Sequence, residues 1–324
     1  KGSPLMSKVL VTGGAGYIGA HVATELVNSG YEVRIFDDFS NGLPRRIEGR
    51  FTDVVSGDIC DREALIKATQ GIDSVIHLAA KKSVGESVAQ PMKYYENNVG
   101  GTLNLLAAMS LTKVNKIVFS SSAAVYAPSE KSAIDESDLT EPLSPYGATK
   151  LLSEKLISTI GQADQISNIS LRYFNVVGAG DDHLGDNARD NLVPRVFNAI
   201  SNNLQPEIFG TDYPTKDGTC IRDYIHVSDL ARAHVSALKK IESGYLSEVY
   251  NVGSGTGFSV KEVFDQMEKS MGMELNPKLS PRRPGDSPKL IASIAKIERD
   301  LGWKPTQTLK EMIDSAWRAE QASA

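Results

Sequence analysis

Short apolar runs alternate with amphipathic stretches along the first half of the chain. "KVLVTG" (8–13) is a compact apolar run ending in glycine, the pattern of a parallel strand buried on both faces. In "YIGAHVATELVNSG" (17–30), Ile18, Val22, Leu26 and Val27 recur at helical spacing, and Gly30 stands where a C-cap belongs. "EVRIFD" (32–37) predicts a second strand, "REALIKAT" (62–69) a helix closed by Gly71, and "DSVIHLAA" (73–80) a third strand. A long helix over about 91–111 and a strand at "KIVFSSS" (116–122) follow. A helix opens at "SPYGATKLLSEK" (144–155), with Ser144 as N-cap and Pro145 as first helical residue, and "NISLRYFNVVG" (168–178) predicts one more strand. This alternation predicts an α/β fold, a doubly wound parallel sheet of the Rossmann type covered on both faces.

The rhythm changes after residue 178. "VGAGDDHLGDNARDN" (177–191) is rich in Gly, Asp and Asn and reads as a long loop, a length that is usually functional or disordered. "EVYNVGS" (248–254) is a late strand able to return to the main sheet, and "SVKEVFDQMEKSMG" (259–272) and "TLKEMIDSAWRAEQ" (308–321) are amphipathic helices. With no repeat, low-complexity tract or flexible linker, the pattern predicts a smaller C-terminal lobe interwoven with the first domain. The expected division is a Rossmann domain over 8–176 plus about 222–253, and a lobe over about 177–221 and 254–320.

Composition narrows the classes. The 324 residues are enough for a large core, and 41% hydrophobic with 23% charged residues is ordinary for a globular protein. A net charge of −5 argues against a nucleic-acid partner. Two cysteines, Cys60 and Cys220, without CxxC spacing suit a reducing, cytoplasmic compartment, and five histidines without ligand spacing predict no metal site. No apolar run reaches the ~18 residues of a membrane span. The opening "KGSPLM" has no apolar signal core; residues 1–5 read as a cloning remnant before Met6.

"TGGAGYIG" sets Gly13, Gly16 and Gly19 directly after a predicted strand and into a predicted helix. That context makes the glycines informative: a tight turn, close approach of backbone to a pyrophosphate at the helix N-terminus, and close helix–sheet packing. The spacing is GxxGxxG. Asp37 ends the second strand 18 residues after Gly19, about where an acid holds the adenosine ribose. No Arg adjoins Asp37 to take a 2′-phosphate, so the pattern points to NAD over NADP.

Sheets of this kind bind ligands at the carboxyl ends of their strands. "FSSSAAVY" (119–126) puts Ser120, Ser121 and Ser122 at such an end. Ser122 is the candidate to hold a substrate oxygen, while Ser120 and Ser121 read more simply as loop caps. Tyr146 and Lys150, at i and i+4, share one helix face that begins 24 residues later. A phenol titrates at about 10, and bringing it to neutrality takes about 4 kcal/mol. A neighbouring ammonium, the positive helix end and a cationic nicotinamide all favour phenolate, so Tyr146 is the expected base for a substrate alcohol.

TGGAGYIG, the SSS strand end and YGATK resemble the short-chain dehydrogenase/reductase superfamily, in its extended branch acting on nucleotide sugars. "LAAKKSVGES" (78–87), "YYENNVGGT" (94–102), "LRYFNVVGA" (171–179), "DYPTKDGTCIRDYIHVSDLA" (212–231) and "SPRRPGD" (280–286) are similar to the UDP-glucose 4-epimerase family, the galactose epimerases. The resemblance runs from residue 8 to about 317 in family order and spacing. It implies a tightly bound NAD that is regenerated each turnover, with Tyr146 taking the proton of the sugar 4-hydroxyl. A 4-keto intermediate then turns over before hydride returns. It also implies that the Rossmann domain binds NAD and that the second lobe binds the UDP-sugar. A homodimer would pack through residues 91–111 and 144–159.

The same resemblance implies the remaining site residues. Around the cofactor they are Tyr17 and Ile18 after the glycine turn, Asn41 near the ribose, and Asp58 and Ile59 near the adenine. Leu78, Ala79, Ala80, Lys82, Asn97, Ser120 and Tyr173 complete that set, with Lys82 also touching substrate. Arg222 and Arg283 match positions that bind the diphosphate, since a guanidinium grips phosphate oxygens in pairs. Phe174, Asn175, Asn191, Leu192, Phe209 and Asp286 match others that line the nucleotide-sugar site.

Two departures from the family pattern matter. Ala80 stands where glycine is common and requires a negative φ. Leu290 stands where a Tyr often restricts the pocket, which leaves room for an N-acetyl group and the UDP-hexosamine pair. Three rivals are weaker. A nucleotide-sugar 4,6-dehydratase needs carboxylates where this chain has Ala123 and Ala124. Asp37 disfavours an NADP oxidoreductase, and a silent NAD sensor commonly lacks the Tyr/Lys pair retained here.

Overall fold

The computed structural model describes residues 6–188, 190–283 and 286–323, so the expected remnant at 1–5 lies outside the described residues. The strands are β1 (Lys8–Thr12), β2 (Glu32–Asp37), β3 (Val54–Ser56), β4 (Ser74–His77), β5 (Lys116–Ser120), β6 (Ser167–Tyr173), β7 (Asn175–Val177), β8 (Glu207–Phe209), β9 (Ile221–His226), β10 (Ser247–Val252), β11 (Gly257–Ser259), β12 (Lys278–Ser280) and β13 (Lys289–Leu290). The helices are α1 (Tyr17–Asn28), α2 (Arg62–Thr69), α3 (Val84–Ala89), α4 (Pro91–Tyr94), α5 (Gly101–Thr112), α6 (Pro145–Asp164), α7 (Leu192–Ser201), α8 (Val227–Glu242), α9 (Val260–Met271), α10 (Ala295–Leu301) and α11 (Leu309–Ser323).

The chain forms two compact units. The first comprises residues up to Ala127, Leu139–Arg172 and Ala231–Tyr250; the second comprises Pro128–Asp138, Tyr173–Leu230 and the chain from Asn251 onward. In the first, a seven-stranded sheet runs β10-β6-β5-β4-β1-β2-β3, the doubly wound order with one added edge strand. Its register places candidate site positions in line. Thr12 lies opposite both Phe36 and His77, and His77 opposite Phe119. The next residue on each strand, Gly13, Asp37, Leu78 and Ser120, therefore falls along the carboxyl edge. Leu10, Phe36, Leu65, Val75, Leu105, Met109, Ile117 and Ile157 form the core that fixes this sheet to its helices.

In the second unit, β9 lies between β11 and β13, and β7 also pairs with β9, while β8 pairs with β12. Val193, Phe197, Ile208, Val263, Phe264, Met267 and Ile313 build its core. Residues 222–230, assigned from the pattern to the Rossmann part, fall here because β9 finds its partners in this smaller sheet. The single strand expected over 168–178 is two strands: β6 ends at Tyr173, the Phe174 N–H bonds to the Val252 carbonyl, and β7 joins β9. Residues 128–138, 173–176 and 251–253, also assigned to the first domain, fall in the second unit as well.

The long helix expected over 91–111 is interrupted. It runs as α4, a π-helical stretch over Tyr95–Gly100, and α5. α3, α7 and α8 went unforeseen. The spacing of Val227, Leu230, Ala231 and Leu238 in α8 carried a readable signal, and these residues are buried.

Candidate active site

The glycine turn is shaped by close approach. A Cβ on Gly19 would lie 2.0 Å from the Gly13 carbonyl oxygen, so only glycine lets α1 return onto the turn. Gly16 caps α1 without a side chain, and the first turn of α1, which includes Tyr17 and Ile18, has no acidic residue. That end of the helix suits an anion. Asp37 is buried beside it; its carboxylate accepts from the Ala15 and Phe39 N–H groups, both at 2.9 Å. Burial pushes its pKa up and the two N–H donors pull it down.

The structure also brings in Arg46, which the sequence did not place near Asp37. Arg46 is fully buried, within electrostatic reach of Asp37, and directs Nη1 at the Ala15 carbonyl at 3.5 Å. These residues fit a dinucleotide of the NAD type. Of the other expected contacts, Asn41, Asp58 and Lys82 are exposed, and Ile59 is buried. Asn97 donates to the Cys60 sulfur at 3.8 Å. Leu78, Ala79 and Ala80 follow β4 at the same edge, and Ala80 is not among the described non-glycine residues with positive φ.

α6 begins as the sequence predicts. The Ser144 hydroxyl accepts from the Gly147 N–H at 3.2 Å, and Pro145 occupies the first turn. A feature of "YGATK" that spacing did not explain becomes clear: a Cβ on Gly147 would lie 2.2 Å from the Ala124 carbonyl. Glycine there lets α6 press against the turn after β5 and brings Tyr146 to Ser122. The Ser122 hydroxyl lowers the Tyr146 pKa by hydrogen bonding, but burial dominates and holds the phenol above its ordinary value. Lys150 directs its ammonium at the Ser120 carbonyl, 2.8 Å away, and lies 4.9 Å from the Phe119 ring centroid. Burial brings it down to about 7, opposed by the charge of Glu154.

Ser120 and Ser121 are fully buried and do not cap a loop. The Ser120 hydroxyl pairs with His234 Nε2 at 2.6 Å, and Ser121 donates to Glu154. His77 bridges Thr12 at 2.7 Å and Thr102 at 3.1 Å, and burial together with the Lys150 charge lowers it to about 3, so its ring is neutral near pH 7.

Sequence reasoning missed Asn98. In the π-helical stretch its side chain accepts from the Lys81 N–H at 2.8 Å and donates to Thr149 at 3.0 Å; Thr149 in turn donates to the Tyr146 carbonyl at 2.7 Å. π-bulges recur at functional sites because they redirect side chains in this way. Glu154 and Arg172 were missed too. They form a nearly fully buried pair, with Nη2 to Oε2 at 2.6 Å. Removing one partner of such a pair typically costs about 3–5 kcal/mol.

The second unit gathers a different set. Arg222 sits mid-sheet, opposite Phe258 on β11 and Leu290 on β13. Its guanidinium donates to the Ser287 carbonyl at 2.8 Å and to Asp286 at 3.3 Å. Arg283 donates to the same carboxylate at 3.1 Å and lies 5.3 Å from the Phe209 ring centroid. Arg195, not foreseen, lies 4.8 Å from that ring, one turn along α7 from Leu192. Asn191 precedes α7 and donates to Asp186 at 2.8 Å. Tyr173 is half-buried, Phe174 is buried and Asn175 is exposed. Among the described residues no helix is long and apolar enough to cross a membrane, and no group of three His, Cys, Asp or Glu side chains is set to hold a metal.

Comparison with known proteins identifies the family. A family model described as "Epimerase: NAD dependent epimerase/dehydratase family" matches residues 9–253. The chain is 44% identical over 331 residues to a UDP-glucose 4-epimerase of Bacillus subtilis, covering 97% of each. It resembles the crystal structure of a UDP-glucose-4-epimerase from Stenotrophomonas maltophila with bound NAD and formylated UDP-arabinopyranose, at TM-score 0.94 and 39% identity over 98% of each chain. It also resembles the UDP-Glc/GlcNAc 4-epimerase of Campylobacter jejuni, at TM-score 0.86 and 36% identity over 97% of this chain and 99% of that one. With a family model spanning most of its length and relatives aligned nearly end to end, the chain belongs to the NAD dependent epimerase/dehydratase family.

Proposed function

We propose that this protein is a UDP-hexose 4-epimerase that interconverts UDP-galactose and UDP-glucose. The observation that carries the reading is the meeting of Ser122, Tyr146 and Lys150 at the end of β5, in a sheet whose carboxyl edge also bears the glycine turn and Asp37. Bound NAD supplies a reversible hydride acceptor. The chain's own residues handle the proton and the grip. Ser122 holds the sugar 4-oxygen, Tyr146 takes its proton and later returns it, and Lys150 supplies the positive charge that favours phenolate. Epimerisation inverts one carbon, so the sugar must turn while the nucleotide stays held. Arg222 and Arg283 serve that grip through the diphosphate. The first unit thus acts as the cofactor half and the second as the nucleotide-sugar half.

Elimination of water is disfavoured because a short turn of Ala123–Val125 follows Ser122, with no carboxylate at those positions. Exposed apolar side chains on the predicted dimer helices, Met92, Leu103, Leu111 and Leu152, support a homodimer. The reading places the enzyme in the cytoplasm. Its test is incubation of purified protein with UDP-galactose and no added nucleotide, with UDP-glucose read by a coupled dehydrogenase. Conversion is expected; failure even after adding NAD to folded protein overturns the reading. A second activity, on the N-acetylated pair, is favoured by Leu290, an aliphatic side chain directly opposite Arg222. Absence of any epimer from UDP-N-acetylglucosamine would dispose of it.

A further inference from the structure

Three successive serines at the end of β5 meet three residues spaced one turn apart on α6. Ser122 reaches Tyr146, the Ser120 carbonyl takes the Lys150 ammonium, and Ser121 donates to Glu154. The first two pairs serve the proposed chemistry; the third has no part in it. Yet Glu154 is as closely held as the others. Arg172 reaches it with Nε at 2.9 Å and Nη2 at 2.6 Å, while Nη1 of Arg172 donates to the Tyr126 hydroxyl at 3.0 Å. The guanidinium carbon also lies 4.9 Å from the Tyr126 ring centroid. A buried ion pair is a weak source of stability compared with apolar packing, so stability alone is a poor reason for it. Its position, one turn beyond the ammonium, supplies a better one.

We propose that Glu154 is a positioning residue of the Tyr146–Lys150 pair: clamped by Arg172 and Ser121, its carboxylate sets the register of α6 on the β5 strand end and supplies the buried negative charge that Lys150 faces. This rests on the roles given above to Tyr146 and Lys150. A buried ammonium tends to lose its proton, and a carboxylate one turn away opposes that loss. Among the described residues, Glu154 one turn on along α6 and His77 on β4 interact electrostatically with Lys150, and Tyr146 stands one turn before it. Arg172 on β6 and Tyr126 after β5 stand behind Glu154, and His234 on α8 reaches the strand end through Ser120. His77 is neutral near pH 7, so Glu154 is the carboxylate that bears on the ammonium.

The test compares wild type with Glu154→Gln, Glu154→Asp and the double variant E154Q/R172M, which removes both buried charges together and so keeps the interior neutral. Two readouts are taken on the holoenzyme: the pH profile of kcat, and the near-ultraviolet phenolate titration of Tyr146, isolated by subtracting Tyr146→Phe. Expected for Glu154→Gln is an alkaline limb moved down by about one pH unit, hence a rate about tenfold lower above neutrality, with KM for UDP-galactose unchanged. The Tyr146 titration moves up, and Glu154→Asp restores both. If Glu154→Gln does not fold, the double variant is read instead; loss of the Arg172 cation offsets part of the charge change, so the limb is expected to move in the same direction by less than about one pH unit, and an unmoved limb overturns the proposal. A folded variant with a lower melting temperature but unmoved limb and unmoved titration overturns the proposal. The titration needs no turnover, so wild type that fails to epimerise counts against the proposed function while Glu154 is still judged.

Discussion

Lys150 in the first unit and Arg283 in the second are both cations, held in opposite ways. Lys150 is 3% exposed and donates to a carbonyl, and burial brings it down to about 7. The Arg283 side chain is 51% exposed and shares Asp286 with Arg222. An amine in a buried site has a protonation state that its neighbours decide, which suits proton handling. A guanidinium in water keeps its charge and can exchange one anion for another, which suits holding a diphosphate. The contrast extends outward. Around Lys150 the polar groups are satisfied by fixed partners on several strands and helices, whereas around Arg283 they are satisfied by one another.

The comparison can be broken at several points. Tyr146→Phe should lower kcat by about 10²–10⁴-fold while leaving UDP affinity unchanged in a binding assay. An equal loss of UDP affinity would show that the first unit also grips. Arg222→Ala should raise KM about 10–100-fold with little change in kcat, and Arg283→Ala should do less, because water already screens it. A collapse of kcat in either would make the second unit part of the chemistry. Asp37→Ala should weaken cofactor retention about tenfold, read as NAD remaining after gel filtration; unchanged retention would remove Asp37 from the ribose.

The smallest effect sharpens the electrostatic half. The folded pKa of Lys150 lies far below its ordinary value, so between about 7 and 10.5 the unfolded chain holds a proton that the folded one lacks. The contribution of Lys150 to wild-type stability should therefore rise with pH across that window. Lys150→Met should melt a few degrees higher than wild type below pH 7, with the advantage shrinking toward pH 10. A constant difference at all pH values would mean that the ammonium is not desolvated.

Much of the candidate site was legible because it is local. Gly13, Gly16, Gly19 and Asp37 sit at fixed offsets from two strands, and Ser144, Pro145, Tyr146 and Lys150 lie within two turns of one helix. Such short-range patterns follow from backbone geometry and can be read along the chain. Arg46 could not be placed beside Asp37 from offsets, nor Arg195 beside Phe209, because those contacts depend on how loops return. The interruption over Tyr95–Gly100 was hidden as well: nothing in "YENNVG" departs from a helical pattern until Asn98 finds the Lys81 backbone.

By itself, then, the sequence determined the alternation of strands and helices, the glycine turn with its acid, and the one-turn spacing of a phenol and an amine. Hydrophobic periodicity and steric limits on the backbone act within a few residues, so these features needed no knowledge of the fold. Tertiary structure decided the rest. It ended β6 at Tyr173 and sent β7 and β9 into a second sheet. It pressed Gly147 against Ala124, and it buried Glu154 with Arg172 behind the ammonium. Strand pairing, desolvation and charge pairing join residues far apart in the chain, and their strength depends on distances that only the folded chain sets.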